Sequence, residues 1–184
     1  DKPKMDLSLV SMSLDYSEYT DDPMYFVANS ANNAEVYYTL VFNEILNENV
    51  CSYLSVSSNA LYYMSCHYKI EIEVEEDGSF KIKKANGEEK THQIVNESGK
   101  LKIDGEINVN NSSRFAIDGH YYSVVETESG YLIWDLQTVT LKLKVKDSYK
   151  YNGGANPLEI DISNIKDLAG NYESFAFKEE EGFD

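Results

Sequence analysis

From Tyr68 to Val74 apolar and charged residues alternate without a break: Tyr68, Ile70, Ile72 and Val74 against Lys69, Glu71 and Glu73. Successive side chains of an extended chain point to opposite faces, so a period of two fits a strand with one buried and one wet face. The pattern then recurs behind turn residues. Glu76-Asp77-Gly78-Ser79 leads to Phe80–Lys83, Asn86-Gly87 to Thr91–Val95, and Asn96–Gly99 to Leu101–Ile107. Asp-Gly and Asn-Gly tolerate the positive φ that tight hairpins require. A polar loop over Asn108–Ser113 precedes strands at Arg114–Asp118, Tyr121–Thr127, Tyr131–Leu136 and Val139–Val145. Strands at roughly ten-residue spacing predict an all-β fold, an antiparallel meander closed into a barrel or folded as a barrel-like sandwich.

The flanking segments are expected to join the same domain. This gives one all-β unit over 1–184, with N-terminal strands in 1–65, the meander in 66–146, and a C-terminal hairpin with an acidic tail in 147–184. Leu7, Leu9, Met12 and Leu14 suggest an opening strand that Asp21-Asp22-Pro23 ends. Within Glu35–Leu46, Val36, Tyr38, Leu40 and Phe42 alternate as in a strand, while Tyr37, Leu40, Val41 and Ile45 lie near one helical face. The β-branched and aromatic content favours strand. Ser52–Ser65 is expected to continue the sheet. A glycine-rich connection, Tyr149–Pro157, leads to a strand at Leu158–Ile162, a turn at Ile165–Asn171 and a last strand at Ser174–Lys178.

Composition narrows the function classes. With 32 acidic against 16 basic residues and a net charge of −16, the chain repels nucleic acid and anionic membrane surfaces, whose affinity comes from Lys and Arg. Fifteen Tyr and seven Phe exclude a disordered acidic tail. No stretch approaches the ~20 apolar residues of a membrane-spanning helix. The chain starts at Asp1-Lys2-Pro3-Lys4, which fits the processed end of an exported protein.

Only two cysteines are present, Cys51 and Cys66. A bridge closing a loop of this size would contribute ~3 kcal/mol, and the oxidising compartment of an exported protein favours it. Two buried thiols are the other reading. A zinc site is disfavoured because His67 is the one other soft ligand nearby and structural zinc takes four.

The run YKIEIEVEEDGSFKIKKANGEEKTHQIVNESGKLKIDG, Tyr68 to Gly105, resembles lipocalin-like secreted lipoproteins of Bacteroidetes in its strand, acidic Asp-Gly hairpin, second strand and polar turn before Leu-Lys-Ile. The resemblance reaches about Val145, under half of the chain. It implies an up-and-down barrel, export with a lipid anchor upstream of Asp1, and a cavity for an apolar ligand. The run LEIDISNIKDLAGNYESFAF, Leu158 to Phe177, is similar to the end of bacterial immunoglobulin-like domains. There Gly170 and Asn171 would make the turn between the last two strands, and a surface-displayed β-sandwich is implied. Both readings agree on a secreted, periplasmic or cell-surface domain and differ on barrel against sandwich.

Catalytic signatures are missing: no phosphate-cradling glycine loop, nucleophile elbow or His-Glu-x-x-His is present. His67 beside Cys66 is the nearest approach to a nucleophile and base, and neighbours in a strand point to opposite faces. Asp15, Glu18, Asp21 and Asp22, and again Asp161, Ser163, Asn164 and Asp167, offer oxygen ligands without an EF-hand spacing, so solvated turns are expected and no metal or cofactor. The expected function is therefore non-enzymatic, an exported or surface-attached binding or accessory protein with a small apolar ligand or a cell-surface partner. The alternative is a structural or adhesive immunoglobulin-like module. Tyr68, Ile70, Phe80, Tyr122, Trp134 and Leu141 are the candidate ligand-binding residues. Alternation puts Trp134 on one face with Leu132 and Leu136, as core or cavity wall, with Tyr131 opposite and His120 exposed at a rim.

Overall fold

The computed structural model describes residues 11–13, 35–83, 88–110, 112–146 and 159–178. The strands are β1 (Ser11–Ser13), β2 (Glu35–Val41), β3 (Ser55–Ser58), β4 (Leu61–His67), β5 (Ile70–Glu73), β6 (Ser79–Lys83), β7 (Glu89–Glu97), β8 (Lys100–Ile103), β9 (Ile107–Asn108), β10 (Arg114–Ile117), β11 (His120–Thr127), β12 (Gly130–Asp135), β13 (Thr138–Val145), β14 (Glu159–Lys166) and β15 (Tyr172–Lys178). One helical turn, α1 (Val50–Tyr53), lies between β2 and β3. All pairings are antiparallel.

The all-β expectation holds, and the strands gather around two apolar cores. In the first, a sheet ordered β1-β2-β13-β4 packs with a sheet ordered β15-β14-β3. Val36, Tyr38 and Leu40 of β2, Val139, Leu141 and Leu143 of β13, and Ile160, Ile162 and Ile165 of β14 fill the space between them. The ambiguous Glu35–Leu46 segment is thus strand through Val41, because its β-branched and aromatic side chains bury on alternate positions. The second core lies between a sheet ordered β10-β11-β12-β5 and one ordered β6-β7-β8-β9, and holds Phe80, Ile94, Ile103, Phe115, Val124 and Ile133.

The second unit is an insertion in the first. After β4 the chain runs through β5 to β12 and returns as β13, and His67 at the exit pairs with Thr140 at the return. Tyr68 closes the junction: its hydroxyl donates to the carbonyls of Leu46 at 2.8 Å and Leu136 at 2.7 Å.

Two expectations are corrected here. The meander does not close into a barrel among the described residues. Its first and last strands meet, since β5 pairs with β12, but β5 and β6 share only the Val74–Phe80 bridge, and no ladder joins β9 to β10. At the second gap the polar loop satisfies itself: the Asn110 side-chain oxygen accepts from the backbone of Ser112 and Arg114 and from the Ser112 hydroxyl. An Asx turn of this kind replaces ladder bonds with local ones. The second correction concerns Val139–Val145, expected as the last meander strand. It is the centre of the other sheet, between β2 and β4, where burial of Thr138 and Thr140 as well as the apolar residues requires neighbours on both edges and cover on both faces.

The cysteine bridge is present, joining Cys51 in α1 to Cys66 in β4 with Cα atoms 5.5 Å apart. Ser52–Ser65 accordingly begins in α1 before entering β3 and β4. The turn at Gly78 is glycine by necessity, with φ +86° and the carbonyl oxygen of Ile94 only 2.5 Å from where a Cβ would stand. At the C-terminal turn Gly170 has φ +91°, and Asn171 donates its backbone and side-chain N–H groups to Asp167. Leu7, Leu9, Leu14, the cluster Asp15 to Asp22 with Pro23, the Asn86-Gly87 turn, Tyr149–Pro157 with Leu158, and the tail Glu179–Asp184 lie outside the described residues. Among those described, no helix is long and apolar enough to cross a membrane.

Candidate ligand-binding cleft

Register decides which side chains share the inner face of the inserted unit. Tyr122 stands opposite Phe115 and Asp135, Val124 opposite Ile133, and Ile133 opposite Ile72. Facing residues of an antiparallel pair lie on one side of the sheet, so Phe115, Tyr122, Val124, Ile133 and Ile72 point into the core. At the end of this face the apolar series gives way to Asp135, His120 and Ile70. The turn that delivers His120 is Asp118-Gly119, both with positive φ, a two-residue hairpin between Ile117 and His120.

This end of the inserted unit opens as a cleft of about 1090 Å³. Ile70, Phe80, Ile117 and Tyr122 line it from the insertion, and Thr39, Phe42, Gln137 and Thr138 close it from the first unit. Gln137 links the two: buried, its side chain accepts the Tyr121 N–H at 2.7 Å and donates to the Phe42 carbonyl at 2.7 Å. Asp135 is equally committed, accepting from His120 Nε2 at 2.6 Å, from the Gln137 N–H and from the Thr138 hydroxyl.

A second imidazole, His92 on β7, is only 4% exposed and stacks on Phe80. Its Nδ1 lies 2.7 Å from Asp104. Partial burial works against ionisation of Asp104, but the hydrogen bonds from His92 and from the Gln93 N–H outweigh it and hold the carboxyl below its ordinary range. An ionised carboxylate only accepts, so Nδ1 of His92 donates in this bond. Burial first, then the Asp135 and Asp118 carboxylates, pushes the Tyr122 phenol far above its usual range and keeps it a donor. Tyr68 is raised in the same way, by burial and then by Glu48 and Asp135.

Of the six residues expected to bind ligand, Ile70, Phe80 and Tyr122 come together in this cleft. Tyr68 and Leu141 pack in or against the first core instead. Trp134 belongs to neither core and is half-buried on the outer face, opposite Ser123 and Glu71. Its grouping with Leu132 is right and the inward side is the other one: Tyr131, Ile133 and Asp135 face in. The reason is that Ile133 meets Ile72 and Val124 across two strand pairs, whereas Trp134 meets Glu71 and Ser123. His120, expected at an exposed rim, is half-buried by its bond to Asp135. Cys66 is in the disulfide and offers no thiol beside His67.

Sequence reasoning passed over His92, Asp104, Asp135 and Gln137. Leu101–Ile107, expected as one strand, turns at Asp104-Gly105 between β8 and β9, and nothing local reveals that Asp104 reaches back across the ladder to His92. In the second oxygen-rich turn, Asp167 is buried and bonded to Asn171, and Ser163 meets Ser55. Among the described residues no group of three or more His, Cys, Asp or Glu side chains is placed to hold a metal ion. No protein-family model, curated protein or solved structure matches this chain.

Proposed function

We propose that this chain is a non-enzymatic binding protein of an exported or surface-attached kind, and that the cleft at the open end of the inserted unit receives a small, largely apolar ligand. The observation that carries the reading is the cleft itself: about 1090 Å³, with an apolar floor and a few convergent polar groups. That composition and size suit a small-molecule site. The Cys51–Cys66 bridge favours an oxidising compartment.

The experiment is equilibrium dialysis against a panel of fatty acids, bile acids, tetrapyrroles and aromatic alcohols, with an Ile70→Trp variant that fills the cleft. One-to-one saturable binding at micromolar concentration, lost in the variant, supports the reading. Binding of none of the panel, or undiminished binding by the variant, overturns it. Tyr62, Tyr63 and Met64 are 53%, 37% and 49% exposed on edge strand β4, and favour a second reading as an adhesive module of the immunoglobulin-like kind.

A further inference from the structure

The sheet ordered β10-β11-β12-β5 exposes apolar side chains on its outer face, away from the second core. Tyr121 and Val125 of β11 are 41% and 49% exposed there, beside the half-buried Leu132 and Trp134 of β12 and Ala116 of β10. The outward face of an antiparallel sheet is ordinarily polar. Register orders the charges on this face. Arg114, Ser123, Trp134 and Glu71 stand in one row across all four strands, and Val125, Leu132 and Glu73 in the next. Arg114, the only arginine of the chain, lies on edge strand β10, while Glu71 and Glu73 lie on the opposite edge, β5. None of these three charges has an ion-pair partner among the described residues.

A cation at one edge and carboxylates at the other make the face complementary to itself. We propose that a second copy of this chain packs on it, outer face to outer face, about a two-fold axis parallel to the strands. That operation lays β10 of one copy over β5 of the other, and β11 over β12. Arg114 then meets Glu71 of the second copy within the same row, Val125 meets Leu132, and Ser123 receives Trp134. A two-fold across the strands through this row instead sets Arg114 on Arg114 and Glu71 on Glu71, which like-charge repulsion disfavours. Four strands about 4.8 Å apart, with the eight residues of β11 rising about 3.4 Å each, give a face of roughly 500 Å². Tight complexes bury ~800 Å² per partner, so a weak dimer is expected, with a Kd on the order of 10–100 μM. Ligand binding in the cleft, on the inner side of the sheet, plays no part in this contact.

Sedimentation equilibrium of the full chain from about 5 to 300 μM, a range spanning that Kd, should show a monomer–dimer equilibrium. The measurement is made at ~0.15 M salt, where the charge of −16 on each chain is screened beyond about 8 Å. Val125→Lys, at an exposed position that tolerates the change, should weaken the dimer at least about tenfold by setting an unpaired charge against Leu132. Arg114→Glu and Glu71→Arg should each weaken it about threefold or more. The two together should return the affinity to within about twofold of the unsubstituted chain, because the exchanged charges still meet across the axis. Tyr62→Ser, on edge strand β4 of the other unit, should leave the equilibrium unchanged. A chain that stays monomeric throughout, a dimer indifferent to Val125→Lys, a dimer lost with Tyr62→Ser, or a double exchange as weak as its single variants overturns the inference.

Discussion

Asp104 shows how one surface carboxylate supports a buried ring. Its side chain is partly exposed, yet it accepts from His92, which is almost wholly inside, and from the Gln93 backbone. Asp104→Ala should therefore lower stability by about 1–3 kcal/mol, mainly by stranding the His92 N–H rather than by loss of a surface charge. The pH dependence has a definite sign. A carboxyl whose folded pKa lies below its ordinary 3.8 binds fewer protons than the unfolded chain across that interval. Its contribution is complete above the ordinary value and is lost as pH falls through the lowered one. Urea unfolding between pH 6 and 2.5 should show a shallower decline for Asp104→Ala than for the unsubstituted chain in the acid part of that interval.

Among elements, β12 isolates the difference between size and burial. Ile133 is fully buried between Ile72 and Val124, while the larger Trp134 faces outward. Ile133→Ala should cost about 2–5 kcal/mol, the usual range for a buried aliphatic truncation, and Trp134→Ala clearly less, the reverse of their side-chain sizes. Thermal melts of the two variants decide it. α1 supplies the second case. A four-residue helix has no stability of its own, and Cys51 within it is tied to β4 across a separation of 15 residues. Replacing Cys51 and Cys66 together by Ala should lower stability by ~3 kcal/mol, the loop-closure value for this length, measurable as a lower urea midpoint with a steeper slope, because the unbridged denatured chain exposes more surface. The strands of the meander were legible because period-two alternation and Asp-Gly or Ser-Gly turns are local properties of the chain. α1 was not, because a single turn bounded by Asn49 and Leu54 carries no helical periodicity to detect.

For the whole molecule, host and insert have separate cores, and the insert leaves and re-enters between paired residues, His67 and Thr140. The host should therefore fold without residues 69–136 when Tyr68 and Gln137 are joined by a short Gly-Ser linker. Loop closure at that point is short and the first core loses none of its buried members except through the Leu136 carbonyl that Tyr68 engages. A strand-rich circular dichroism spectrum, a cooperative melt and an intact Cys51–Cys66 bridge are expected; a molten spectrum would show that the host depends on its insert. The residues of the cleft come from both units, so the shortened chain should have no ligand affinity.

Alternation, turn chemistry and charge were enough to specify that this chain makes antiparallel strands, roughly where they run, and that its surface is acidic. They specify two faces for each strand and leave open which face turns inward and which sheet each strand joins. That was decided by long-range pairing: Ile133 against Ile72, β13 between β2 and β4, His92 against Asp104. The physical reason is that a period of two is satisfied equally well on either side of a strand, and only burial against residues distant in the chain breaks the tie.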